Sequence, residues 1–471
     1  MLDADIRQAN HSAGAGIDRA FYRSFLRLTA TIALQNLILF GVNLCDNIML
    51  GGFSELAMSG AAVAIQYQFL LLQTVAGVGT GAAVIASQHW GKHETAPIRR
   101  IFSAALWLGL GIGCVMGALG YFFPERLLRL LTNETLVIEQ GAVYLRTLAP
   151  TYPVFALTSV GIAMFRSVES PQVGFYLSLA ALGLDAVLNY ILIFGKLGFP
   201  ALGVRGAAIA TAISYLVQFG LLLLFLRFWD KKLHVRLGDL FRATRRDWAV
   251  FTRTALPLVG SALSWGLAMN VQSAILGRMG ATSIAANSIA TTLFQVISVI
   301  TYASAGAANV IIGKAVGAGD IPRVKRYTKR LQLLFLAIGA ASGLLLFLAR
   351  GAILSVYRVS PETQALARQF LLVLCVTVVG TSYQMATLTG IVSGGGSTHF
   401  VLCNDLIFMW GIVLPLSALS AFVWHFSPLV TFVVLKSDQI TKCAVAAVKV
   451  NRFRWIRDLT KRGVPEPQER S

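Results

Sequence analysis

Apolar runs long enough to cross a bilayer recur from one end of this 471-residue chain to the other, and no other feature narrows the fold so far. A helix rises 1.5 Å per residue, so about 20 apolar residues traverse about 30 Å of hydrocarbon. Twelve such spans are expected, near residues 28–50, 58–86, 102–121, 141–165, 173–195, 204–226, 249–276, 283–312, 331–349, 367–392, 400–423 and 428–449. The expected fold is an all-α membrane protein of about twelve transmembrane helices. Hydrophobic residues make up 56% of the chain and charged residues only 13%, a balance that excludes an ordinary soluble domain.

The net charge of +19 raises the question of a nucleic-acid partner, which the placement of the charge answers. With a cytoplasmic N-terminus, 29 of the 40 Lys and Arg residues fall on inner segments and nine on outer loops. That bias orients both termini inwards by the positive-inside rule. The charge therefore reads as a topology signal, with contacts to membrane lipid, and no nucleic-acid binding is expected. The first 24 residues carry Asp3, Asp5, Arg7, Asp18, Arg19 and Arg23 and no apolar signal core, so the first span is expected to direct its own insertion. Cys45, Cys114, Cys375, Cys403 and Cys443 lie in apolar stretches without metal-ligand spacing and read as small packing residues.

Shifting the chain by 226 positions lays Met49-Leu50-Gly51 on Ile275-Leu276-Gly277, and Ile85–Arg100 on Ile311–Arg326. The second pair shares its glycine (Gly91, Gly317), an acid (Glu94, Asp320) and a closing basic pair. Two six-helix repeats in the same orientation are implied. The expected organisation is a cytoplasmic N-terminal tail (1–27), an N-lobe (28–226), a basic cytoplasmic linker (227–248), a C-lobe (249–450) and a cytoplasmic C-terminal tail (451–471). Transporters built this way bind substrate near the midplane between the halves.

Ionisable groups inside the hydrocarbon are costly and mark function by default. Asp46 lies about 27 Å into span 1, counted at the helical rise, with Asp185 and Asn189 about 18 and 24 Å into span 5. The last two are four residues apart and share a helix face. With Thr211, which enters span 6 from the outer side, they are expected to meet in one polar cavity of the N-lobe and to hold a proton or cation. Asp405 sits near the inner end of span 11, where a water-exposed cap is as compatible as a transport role. Asp438 and Lys442 are spaced to neutralise one another in span 12, near Lys436. His89 and His93 flank Gly91 without a carboxylate or third ligand, so no metal site is expected. Gly313-Lys314 lacks the upstream glycine spacing of a phosphate loop. No nucleophile, base or metal set suggests an enzyme, and no catalytic residue or cofactor is expected.

Several segments together resemble the multidrug and toxic compound extrusion (MATE) family. They are CDNIMLGG (45–52), LNYILIFGKLGFPALGVRGAAIATAIS (188–214), ILGRMGATSIAANSIA (275–290), VIIGKAVGAGD (310–320), SDQITK (437–442) and RWIRDLT (454–460). The resemblance implies a V-shaped bundle of two six-helix lobes. It implies efflux of cationic amphipathic drugs or toxins by alternating access, in exchange for H+ or, alternatively, Na+. Asp46 matches the family's acid in span 1, and Thr211 a threonine near that site. The proton-coupled branch carries asparagine then aspartate in span 5, whereas this chain has Asp185 then Asn189. Trp265 and the Ser382 region stand near positions that are acidic in the sodium-coupled branch, which leaves H+ as the expected coupling ion. Thr31 stands where span 1 often has a proline, while Pro257 is present in span 7. A lipid-linked oligosaccharide flippase shares the fold, but the intramembrane charge here is chiefly acidic, unlike a pyrophosphate site. Tyr67, Tyr152, Trp265 and Tyr383 are candidates to line the substrate cleft, since polyspecific pockets are largely aromatic. A monomer in a bacterial cytoplasmic (inner) membrane is the expected setting.

Overall fold

The computed structural model describes residues 2–235, 238–239, 242–356 and 359–461, with backbone alone at 2–18, 43–44, 281, 353 and 356. The side chains of Asp3, Asp5, Arg7 and Asp18, parts of the 227–248 segment, and residues 462–471 lie outside the described residues. All regular structure among those described is helical. The long helices are α1 (Leu2–Phe53), α2 (Glu55–Gly91), α3 (Thr95–Phe122), α4 (Thr135–Ser167), α5 (Pro171–Phe194) and α6 (Val204–Phe228). The second set is α7 (Arg245–Gly277), α8 (Ala281–Gly317), α9 (Ile321–Val356), α10 (Pro361–Val392), α11 (Thr398–Phe422) and α12, made of Pro428–Lys436 and Asp438–Asn451. Among the described residues, eleven helices are long and apolar enough to cross a membrane. α12 is interrupted at Ser437, between the buried charges Lys436 and Asp438, which leaves two short pieces.

The helices outrun the expected spans. α1 is helical back to Leu2, through the segment expected as a tail, because residues 2–27 contain no proline and many helix formers. It is also continuous past Thr31, whose hydroxyl donates to the Arg27 carbonyl at 2.8 Å. Local signals set the other ends. Ser54 caps α2, and Thr244 with Asp247 forms a capping box that starts α7. α5 stops at Gly195, whose φ of +66° suits glycine. Pro150 lies within a 3-10 turn (Ala149–Thr151) inside α4, and Pro153 sits in the first turn of the helix that follows it.

The halves meet as the repeat requires. α2 packs on α7 and α8 on α1, which the 226-residue shift exchanges, while α2 and α8 lie against each other at the centre. Small residues permit this approach. A Cβ on Gly77 would come within 2.6 Å of Val259 Cα. Near the end of α2, Gly91 abuts the Lys314 carbonyl and Gly317 the Gln88 carbonyl, and the repeat converts each contact into the other. The contact of Ser87 with Gly313 is one that the 226-residue shift maps onto itself.

The same end is pinned by polar groups. Lys314 pairs with Glu169 at 2.7 Å, and the Trp90 indole donates to the same carboxylate at 3.3 Å. His89 has a carboxylate partner after all, Glu94 at 2.8 Å, because the turn after α2 folds back. A strap over residues 452–461 then crosses between the halves. Trp455 is buried against Gly395, the Leu459 amide donates to Gln88 Oε1 at 2.8 Å, and Lys92 pairs with Asp458 at 3.3 Å.

Candidate functional site

The packing of α5 against α1 and α6 brings the three sequence candidates of α1 and α5 together. Asp185 and Asn189, one turn apart on α5, face the same way, and Asp46 of α1 reaches them. The Asn189 amide donates to Asp46 Oδ1 at 2.5 Å and to Asp185 Oδ2 at 2.9 Å. Thr211 and Ser214 of α6 lie near the Asp185 carboxyl, while Asp185 Oδ1 and the Ser214 hydroxyl have no hydrogen-bond partner among the described residues. Thr211 also donates to the Ala207 carbonyl at 3.2 Å. Asp46, Asp185, Asn189 and Thr211 are all at most 3% exposed.

One amide nitrogen thus joins two buried carboxyl groups, and neither has an ion pair among the described residues. Asn189 Oδ1 has no hydrogen-bond partner there either. Two adjacent negative charges are not sustained in a low-dielectric interior without compensation. The arrangement is therefore suited to hold a proton or a small cation between α1 and α5. The reversed Asp185/Asn189 order still delivers two carboxyls and one amide to one point, since residues four apart share a face in either order.

α6 carries further polar residues that the sequence reading passed over. Ser214, Tyr215 and Gln218 follow Thr211 at spacings of three, four and seven, a polar stripe on an apolar helix, and that spacing was readable. Tyr215 accepts from the Gln68 amide at 2.5 Å, tying α6 to α2.

The aromatic candidates are dispersed. Tyr67 and Tyr152 stack within the first half, centroids 6.4 Å apart, and Tyr152 is wholly buried. Trp265 lies between the halves, with Phe69 of α2 at 6.2 Å and Tyr302 of α8 at 6.4 Å. Tyr383 faces a groove on the outside of the second half, and its hydroxyl donates to Gln332 at 2.8 Å.

The second half has its own buried polar set. Lys442 bridges Asp405 at 3.1 Å and Asp438 at 3.5 Å, and Ser261 of α7 donates to Asp405. Asp405 is thus an internal partner of α12 as well as a residue near a helix end. Lys436 reaches Gln272 at 3.2 Å and lies 5.6 Å from the ring centres of Phe294 and Phe432. Among the described residues no group of three or more His, Cys, Asp or Glu is placed to hold a metal ion.

The MatE family model matches residues 31–191 and 257–419, once in each half. A probable multidrug resistance protein NorM of Mesorhizobium japonicum is 25% identical over 94% of this chain and 96% of its own length. The multidrug resistance protein PmpM of Pseudomonas aeruginosa is 28% identical over 84% of this chain and 83% of its own. Among solved structures, a MOP superfamily transporter from Pyrococcus furiosus superposes with a TM-score of 0.83 at 19% identity, covering 93% of this chain and 96% of that one.

Proposed function

The chain belongs to the MatE family of membrane transporters, and on that premise we propose that it exports cationic amphipathic compounds in exchange for protons. The observation that carries this reading is the Asp46–Asn189–Asp185 cluster, two buried carboxyl groups joined by one amide. The similarity to the NorM and PmpM proteins supports the substrate class.

In the proposed cycle, a proton and a substrate cation compete for the charge of the first-half cavity. Proton binding from outside neutralises the pair, releases the cation and favours the state open to the cytoplasm. Coupling requires that the proton bind the two states with different affinity, since a ligand that binds both equally shifts nothing. The end pinned by Glu169–Lys314 and the 452–461 strap is the basic end, which the charge bias places in the cytoplasm. The conformation described here is accordingly read as closed on the inner side. The parse into lobes at 28–226 and 249–450 and operation as a monomer in an inner membrane belong to the same proposal.

The test is substrate-induced proton release from vesicles containing the purified protein, wild type against Asp46→Asn and Asp185→Asn, at varied sodium. Release abolished by both substitutions and indifferent to sodium is expected. Sodium-dependent ethidium transport that survives them would move the coupling site elsewhere.

A further inference from the structure

On the outer flank of the second half, α9 and α12 both pack against α10 and leave between them a groove of about 1040 Å³. Its walls are apolar and open to the surroundings. Leu333 is 68% exposed, Val376 on the floor 65% and Ile440 46%. From Ile440 to Asn451 it runs about 16 Å at the helical rise, roughly one leaflet of hydrocarbon.

One end is polar. There Gln332 donates to Asn451 at 3.3 Å, bridging α9 to α12, beside Lys329. Across α12 a smaller hollow is lined by Lys449, Arg452 and Arg454. No carboxylate of the described residues pairs with Lys329, Arg452 or Arg454. An apolar slot of leaflet length that ends in unneutralised positive charge matches an amphiphile with a chain and an anionic head. The charge opposes a cationic drug, and the ammonium of a zwitterionic lipid gains nothing beside these bases.

We propose that this groove is a binding site for an anionic phospholipid, with one acyl chain over Val376 and the phosphate at Lys329 beside Gln332 and Asn451. The site is separate from the Asp46 cluster and does not depend on how transport is coupled. Occupancy fastens α9 and α12 to α10 through the lipid.

The test is native mass spectrometry of the full chain with phosphatidylglycerol or phosphatidylcholine of identical acyl chains. Preferential retention of phosphatidylglycerol by about fivefold is expected, the effect of one basic group near a lipid surface. Lys329→Gln is expected to bring the two lipids close to parity. Val376→Trp and Ala447→Trp, each filling the groove, are expected to lower retention of both lipids. Size-exclusion profiles qualify each variant, and either filling variant suffices if the other does not fold. Equal retention by the wild type, a preference unchanged by Lys329→Gln, retention unchanged by a folded filling variant, or ethidium held in place of the lipid overturns the proposal.

Discussion

Lys442 shows how much rests on single side chains in this interior. It is 3% exposed and serves two carboxylates, Asp405 and Asp438, on two helices. Removing one member of a buried ionic set leaves uncompensated charge and typically costs about 3–5 kcal/mol. Lys442→Met is therefore expected to lower the thermal midpoint in detergent sharply, with Asp438→Asn on that background recovering part of the loss. Spacing predicts the Asp438–Lys442 pair, since residues four apart share a face. The bridge to Asp405, 37 positions away, depends on where α11 sits beside α12, and no local pattern carries that.

At the scale of elements, glycine sets how closely α2 and α8 approach. A side chain at Gly317 would overlap the Gln88 backbone, whereas one at Gly183 on α5 meets nothing within 4 Å. Gly317→Val is expected to lose at least the 1–3 kcal/mol of an overpacked contact and to reduce the yield of monodisperse protein. Gly183→Val should pass, so yield and midpoint compared between the two isolate the contact. The repeat makes Gly91 and Gly317 equivalent in the sequence. Their reciprocal contacts add that both glycines serve one crossing.

The strap over 452–461 responds to pH in a defined sense. Burial pushes the Asp458 carboxyl up, but hydrogen bonds from Thr460 and the Lys92 ammonium outweigh it and hold it below its ordinary value. A lowered folded value means the stabilisation is complete above the ordinary carboxylate value of about 3.9 and is lost as pH falls through the folded one. Hydrogen exchange of the 455–461 amides is expected to be insensitive to protonation of Asp458 between pH 8 and 5, after correction for intrinsic rates, and to accelerate below about pH 4.

For the whole molecule, the Glu169–Lys314 pair links the halves at their pinned end. Its side chains are 26% and 40% exposed, so its contribution is on the order of 1 kcal/mol or less. Lys314→Glu should shift the population towards opening at that end, and Glu169→Lys on the same chain should restore it. Spin-label distances between the pinned ends of α2 and α8 provide the readout, and unchanged distances in Lys314→Glu would remove the pair from the closure.

The sequence by itself determined the solvent, an all-helical architecture of about a dozen long apolar segments, the 226-residue internal similarity and the positions of the buried acids of α1 and α5. Each of these is carried by periodicity, composition or local spacing, which survive without knowledge of contacts. Tertiary structure decided which of the buried polar groups meet. One Asn189 amide reaches both Asp46 and Asp185 only because α1 and α5 pack side by side. Helix packing likewise encloses Tyr152 completely within the first half and sets the largely buried Tyr383 at the wall of a groove on the second, although both are aromatic residues in apolar helices. A helical sequence specifies which residues share a face; the neighbouring helices determine what that face meets.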